Sequence, residues 1–317
     1  MTSTTRGRLT AVALVLLGLV LGSAGTRLLD RGADDDAAVL SSRTGKATST
    51  VFKVGSLNVL GAGHTRPGGN RKGWAPGVKR MGWQVQLLRQ HDIDVVGFQE
   101  FQPPQAAVFD RKAGATYDRY PASGPRGFVR NAIAWRSDRW TMVSGSWLKV
   151  PYFKGDMLRM PVVLLQHLAT GQQAYFMNFQ NPADARGKAR KWRLKGYRIQ
   201  SDLVNRLRTE TGLPVYWTGD FNEREVAYCT VTGSTDLESA SGGTNDEAGC
   251  APTRPMWVDW IFGAPDTIFT EYLADRGPLV KKSTDHPMVV AKAELPPLVE
   301  PCPPAPKRPQ DLGLSTE

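Results

Sequence analysis

Val215-Tyr216-Trp217-Thr218-Gly219-Asp220-Phe221-Asn222-Glu223 decides how this chain is read, because an apolar strand runs into a glycine and then into two polar side chains. Gly212 stops a preceding helix, Pro214 to Trp217 reads as a short buried strand, and Gly219 lets the backbone turn sharply. Asp220 and Asn222 lie two apart, so they share one side while Phe221 turns into the core. A carboxylate beside a carboxamide can take a proton and orient the group that gives it. The same stretch also suits an ordinary Asx turn, so partners elsewhere must separate the two readings.

Several other strands end on polar side chains. Val51 to Val59 alternates as a strand and delivers Asn58 at its end, and Ile93 to Phe98 is an apolar run closed by Gln99-Glu100. A strand over residues 173–179 ends in Asn178-Phe179-Gln180-Asn181. Met256 to Phe262 carries Asp259 among large apolar residues, where an unpaired charge is costly. The segment Lys282-Ser283-Thr284-Asp285-His286-Pro287 offers the partner, a histidine entering the last strand.

Between these strands the pattern predicts a helix burying Val78, Met81, Val85 and Leu88, preceded by an exposed basic glycine-rich loop with His64, Arg66, Arg71 and Lys72. That loop lacks phosphate-loop spacing. Two hairpins are expected: residues 128–135 with 140–147, and residues 160–168 with 173–179. His167, in the second hairpin, reads as an ordinary hydrogen-bonded histidine, and the stretch 147–157 with Trp147, Tyr152 and Phe153 is a candidate apolar, membrane-facing hairpin.

Residues 183–211 form a long predicted helix with Ile199, Leu203, Val204 and Leu207 as its buried stripe. Its first half carries Arg186, Lys188, Arg190, Lys191, Arg193 and Lys195, interleaved with Trp192 and Tyr197. Such a face can meet phosphates while the aromatics stack on bases; the competing reading is a solvated basic helix packed through its aromatics.

Composition sets the class. The 317 residues, 41% hydrophobic with nine tryptophans, can fill a large core, and a net charge of +10 favours polyanionic partners. Arg6 and Arg8 precede an apolar run to Leu21 and small residues to Gly25, which predicts an export signal over residues 1–25, cleaved or retained as a membrane anchor. Residues 26–49 read as a flexible linker, 50–295 as one domain and 296–317 as a proline-rich tail without a fold. Export favours a Cys229–Cys250 disulfide, leaving Cys302 over.

Taken in order, Leu57-Asn58-Val59, Gly97-Phe98-Gln99-Glu100, Gly219-Asp220-Phe221-Asn222, Val258-Asp259-Trp260-Ile261-Phe262 and Ser283-Thr284-Asp285-His286-Pro287 resemble the endonuclease/exonuclease/phosphatase superfamily. The resemblance implies an α+β fold, a four-layered α/β/β/α sandwich of two mixed β-sheets like that of deoxyribonuclease I, with a site across one edge of both sheets. It implies metal-dependent phosphoester hydrolysis. Glu100, Asn58 and Asp285 would serve a Mg²⁺ or Mn²⁺ ion, Asp220 would activate water with Asn222 orienting it, and His286 paired with Asp259 would stabilise the transition state.

Gln180 stands where the family usually has a histidine, and it can donate a hydrogen bond but carry no charge. The expectation is therefore an exported phosphodiesterase acting on nucleic acid. The alternatives are a lipid or small-molecule phosphoesterase, or a non-catalytic binding module that keeps the scaffold.

Overall fold

The computed structural model describes residues 48–122, 130–297 and 309–315. The expected export signal (1–25), nearly all of the linker and Cys302 lie outside the described residues. Among the described residues no helix is long and apolar enough to cross a membrane.

The chain opens with strand β1 (Thr50–Asn58), a short helix α1 (Ala62–Thr65), helix α2 (Gly77–Gln90) and strand β2 (Val95–Gln99). Helix α3 (Pro103–Ala113) leads to β3 (Tyr117–Tyr120) and β4 (Ala132–Arg136). Next come β5 (Trp140–Pro151), β6 (Met157–His167), β7 (Gln173–Gln180), helix α4 (Arg190–Thr211) and β8 (Val215–Asp220). Helix α5 (Glu225–Ser234) precedes three short strands, β9 (Glu238–Ser239), β10 (Gly243–Asp246) and β11 (Gly249–Pro252). The domain closes with β12 (Asp259–Gly263), β13 (Ile268–Asp275), α6 (Pro278–Ser283) and β14 (Met288–Leu295).

Two six-stranded sheets result, ordered β13-β14-β1-β2-β4-β3 and β5-β6-β7-β8-β12-β9. Each is mixed, with a single parallel pair: β1 with β2 in the first sheet, β7 with β8 in the second. Parallel neighbours need a crossover, and α1–α2 and α4 supply it on the outer faces. Three apolar clusters mark the three interfaces of four layers. One joins the first sheet to α2 and α3 through Met81, Leu88, Phe98 and Phe109. A second joins the other sheet to α4 and α5 through Met177, Tyr197, Trp217 and Tyr228. The third lies between the sheets and includes Phe52, Trp140, Phe176, Tyr216 and Ile261.

The period of two along each strand explains how this layering places the polar residues. Along β7, Tyr175, Met177 and Phe179 face the helix layer, while Ala174 and Phe176 face the opposite sheet. Asn178 and Gln180 continue the inner row. In β8, Val215 and Trp217 face outward and Tyr216 inward, so Thr218 and Asp220 fall on the inner row too. The space between the sheets thus changes from apolar to polar toward one edge.

At that transition Asn178 donates to Phe98 O (2.7 Å) and Ala132 O (3.0 Å), and its Oδ1 accepts from Gln99 Nε2 (2.6 Å) and Thr218 Oγ1 (3.2 Å). These buried bonds stitch the two sheets together just beneath the site.

Four expectations are corrected. The segments around Arg136–Arg139 do not form a hairpin: β4 pairs with β2 and β3, whereas β5 pairs with β6 in the other sheet. The turn carries the chain between sheets and is held by Arg136 to Asp92 and Asp138, and by Arg139 to Asp94. Helix α4 begins at Arg190 rather than 183, because Asp184 accepts the Ala189 N–H and caps a preceding loop. Val78 is exposed, the buried face of α2 being rotated toward Arg80, Met81, Gln84 and Val85. The tail is not wholly without a fold. Residues 309–315 dock on β5, with Leu312 and Leu314 buried in the α4-side core and Ser315 bridging Trp147.

The 160–168/173–179 hairpin forms as β6 and β7. The Cys229–Cys250 disulfide is present and ties α5 to the β10–β11 hairpin.

Candidate active site

Parallel strands aim their carboxyl ends at the same edge, and ligands commonly bind outside such ends. Here β1 ends at Asn58 and β2 leads into Glu100, while β7 ends at Gln180 and β8 at Asp220. In the second sheet Gln180 is the register partner of Asp220, and Asp220 that of Asp259, so three polar side chains form one row across β7, β8 and β12. The segment after α6 brings Asp285 and His286 from the first sheet to face that row.

The floor is a pair of carboxylates, Glu100 and Asp220, bridged by two amides. Asn58 Nδ2 reaches Glu100 Oε1 at 3.2 Å and Asp220 Oδ2 at 3.1 Å, and Gln180 Nε2 reaches the same two oxygens at 3.3 Å each. Asn58 Oδ1 accepts the Leu60 N–H, which fixes the amide with its NH₂ toward the floor. In this orientation Asn58 turns its donor to both carboxylates. Asp220 Oδ1 accepts the Asn222 N–H at 3.0 Å, an Asx-type bond, while the Asn222 side chain donates to Asn181 O. Asn222 therefore positions Asp220 through its backbone, with φ at 53°.

His286 Nδ1 lies 3.0 and 2.9 Å from the two oxygens of buried Asp259. Burial pulls the imidazolium down, but the charge and hydrogen bond of Asp259, aided by Asp220 and Asp285, outweigh it and raise His286 to about 10. Burial pushes Asp220 up, His286 pulls it back, and Asp259 and Glu100 push it up again, to about 7. Glu100 would also rise on burial, but donors from His64, Gly61 N–H and Asn58 hold it at about 2. The two floor carboxylates are thus pushed apart in acidity, the arrangement expected of a proton acceptor beside a permanently charged group.

An open cavity of about 490 Å³ lies above this floor, with Arg71, Arg130 and Arg186 on its rim. Asp285 sits on the rim rather than the floor, ion-paired with Arg71 at 3.1 Å. Asp220, Asp259 and His286 each bring an oxygen or nitrogen within 4.8 Å of one another. A charged His286 has no lone pair to give a metal, so the donors left are the carboxylates of Glu100 and Asp220, which suit a hard divalent cation.

Of the basic residues read as a phosphate-binding face, only Arg186 lines the cavity. Lys188, Arg190, Lys191 and Lys195 are exposed elsewhere, and Lys191 covers Trp192 at 4.6 Å. Arg193 is corrected: it is buried, paired with Asp184 and Glu223, and donates to Pro182 O. It shares the buried face of α4 with Tyr197 and Gln200, a spacing of four and three that the sequence already contained. In the 147–157 stretch Trp147 packs on Tyr120, Tyr152 is buried and Arg186 covers Phe153 at 5.0 Å, while Met157 is exposed.

Other supporting residues escaped the sequence reading. Arg80 is fully buried and donates to the carbonyls of Val59, Leu60 and Ser283, joining the end of β1 to the segment that carries His286. Gln84 bonds to Val59 and Ser283 as well. His64 Nε2 stands 3.2 Å from Glu100 Oε2. A charged residue on an otherwise apolar helix stripe, as at Arg80, is the signal that could have found the first of these.

Two mixed sheets packed face to face between helices, with a polar site along their common edge, define the deoxyribonuclease I-like class of α/β sandwich. A profile of the Endonuclease/Exonuclease/phosphatase family matches residues 84–286, and the chain belongs to that family. None of the curated proteins matches it by sequence.

Solved structures share the fold. An endonuclease/exonuclease/phosphatase family protein from Bacteroides thetaiotaomicron is 20% identical, with a TM-score of 0.61 over 78% of this chain and 96% of that one. The human nocturnin catalytic domain with bound sulfate is 15% identical, with a TM-score of 0.59 and the same coverage, 78% and 96%. A mannosyl-6-phosphatase from Bacteroides thetaiotaomicron is 20% identical, with a TM-score of 0.54 over 76% and 98%.

Proposed function

We propose that this protein is an exported, divalent-cation-dependent phosphodiesterase acting on nucleic acid. The observation that carries the reading is an anionic floor under a cationic rim: Glu100 and Asp220 lie at the bottom of a cavity bordered by Arg71, Arg130 and Arg186. Such a gradient takes a cation below and a phosphate above it. Glu100, with Asp220 close by, would hold Mg²⁺ or Mn²⁺, which supplies positive charge against the phosphate.

The chain's own residues supply the rest. Asp220, its Oδ1 fixed by Asn222 and its Oδ2 by Asn58 and Gln180, accepts the proton of the attacking water. Asp259 keeps His286 in its charged form, and the imidazolium offsets the negative charge that grows on the phosphoryl oxygens. Gln180 adds a neutral donor between the carboxylates.

Nucleic acid is favoured over lipid because Arg71, Arg130 and Arg186 line the cavity, and the aromatic rings of the 152–156 turn are packed, Tyr152 buried and Phe153 under Arg186. The test is a screen of DNA, RNA, sphingomyelin and small phosphate esters with Mg²⁺ or with EDTA, using Asp220→Ala as control. Cleavage of nucleic acid that EDTA and Asp220→Ala both abolish is expected. Lipid hydrolysis beside intact nucleic acid would overturn the substrate assignment, and salt-sensitive DNA binding without turnover of any ester would make the protein a binding module.

A further inference from the structure

A second, smaller cavity of about 200 Å³ adjoins the main one at His286. It shares Asp285 and His286 with the main cavity and adds Trp74, Arg276 and Lys281. The guanidinium of Arg276 lies 4.7 Å from the centre of the Trp257 ring, as Arg186 lies on Phe153 in the main cavity. His286 therefore shares each cavity with an arginine seated on an aromatic ring, Arg186 in the main one and Arg276 in the smaller. Asp285, the acidic residue common to both cavities, is ion-paired with Arg71, so its charge opposes an anion passing between them less than a free carboxylate would.

A site meant only for a terminal phosphate has no need of cations beyond the reacting group. Arg276 and Lys281 are exposed, and neither belongs to the floor. Arg276 rests on Trp257, which is not part of the cavity lining, while a separate indole, Trp74, does line it; a guanidinium that can meet phosphate oxygens and a ring that can take a base face suit a phosphate joined to a flat base.

We propose that the Trp74–Arg276–Lys281 cavity is a subsite for the nucleotide flanking the cleaved phosphodiester, so that a single polynucleotide strand runs from Arg186 across His286 to Arg276. The inference rests on the reading of the main site as a phosphodiesterase acting on nucleic acid, and it specifies that the bond attacked lies inside a chain. The indole of Trp74 takes the flanking base, and the two cations take its phosphate.

The test separates this subsite from the catalytic reading. Fluorescence anisotropy measures binding of a labelled single strand of about 12 nucleotides, within the usual span of such sites, to full-length protein carrying Asp220→Asn. Adding Arg276→Ala and Lys281→Ala should weaken binding at least about tenfold and flatten the salt dependence by about 0.7 in log–log slope per phosphate contact removed.

In the protein with native Asp220, the same two substitutions should raise KM for the strand while leaving hydrolysis of bis(p-nitrophenyl) phosphate within about twofold, since an ester that short does not reach the subsite. Trp74→Ala should weaken the strand but not an abasic strand of equal charge. Unchanged affinity and salt slope in the double variant would overturn the subsite, as would an equal loss on the small ester. A strand that binds through these residues but is never cleaved would leave the subsite standing and refute the phosphodiesterase reading instead.

Discussion

Gln180 and Asp220 are register partners on adjacent parallel strands, and the Gln180 amide nitrogen stands 3.3 Å from Asp220 Oδ2. The same nitrogen is 3.3 Å from Glu100 Oε1, so this neutral donor, like Asn58 Nδ2, lies between two carboxylates drawn from different sheets. Its place in the family pattern is usually taken by histidine, and the geometry shows what a charge there would meet.

Gln180→His should raise phosphodiester turnover, by up to about 10²-fold, because an imidazolium between the two carboxylates would also face the phosphate. Steady-state kinetics on the strand used above reads the change. A fall in kcat with unaltered circular dichroism would show that the neutral amide is adapted to this protein's own substrate.

His286→Gln should make stability less dependent on alkaline pH. The folded His286 titrates at about 10, above the ordinary 6.5, so its contribution is complete below about pH 6.5 and is lost as pH rises through about 10. Removing one member of a buried ion pair costs about 3–5 kcal/mol. Thermal melts without added metal should therefore show a larger Tm deficit for the variant at about pH 6 than at about pH 10.5. A deficit that does not change with pH would contradict the charged pair.

Gly97 faces the other sheet at close range, and a Cβ there would stand 2.1 Å from Thr218 Oγ1 and 2.5 Å from Asn178 Oδ1. Neither neighbour can yield without losing a buried hydrogen bond. Gly97→Ala should destabilise the domain by about 1–3 kcal/mol, the usual cost of overpacking, and should depress kcat as well, because Gln99 and Thr218 support strands that end in the site. Urea unfolding and turnover, measured on the same preparation, test both effects.

The Cys229–Cys250 bond closes a loop with a sequence separation of 21, which in the chain-entropy view stabilises by about 3 kcal/mol. The bond ties α5 to the β10–β11 hairpin, and neither Cys229 nor Cys250 lines the main cavity. Reduction with dithiothreitol should lower Tm while leaving kcat at moderate temperature nearly intact. A large loss of activity at temperatures well below the melt would show that the hairpin bears on the site.

Much of the fold was legible because strands that bury one face repeat every two residues and end on polar side chains. Asn58, Glu100, Gln180 and Asp220 stand out as polar residues closing apolar runs, and Asp259 as a carboxylate within one. The four residues from Arg136 to Arg139 misled for a physical reason. A short polar turn between two strands looks the same whether the strands pair or diverge into separate sheets, and only the long-range pairing of β4 with β2 and of β5 with β6 decides it.

Both readings of the α4 face leave Arg193 in solvent or on phosphate, but a guanidinium can be buried when carboxylates and a carbonyl meet it, as Asp184, Glu223 and Pro182 do. Arg80 was hidden because its partners are backbone carbonyls, which leave no mark in a sequence.

One feature of the architecture reaches beyond any single residue. His286 comes from the first sheet and Asp259 from the second, and Asn58 of the first reaches Asp220 of the second. The reactive centre is in effect a coincidence detector for docking: each half can keep its strands and helices, yet the centre exists only while the two are in contact. Partial unfolding that parts the sheets should silence the protein before its far-ultraviolet signal falls, so turnover would serve as the more sensitive gauge of whether the two halves are joined.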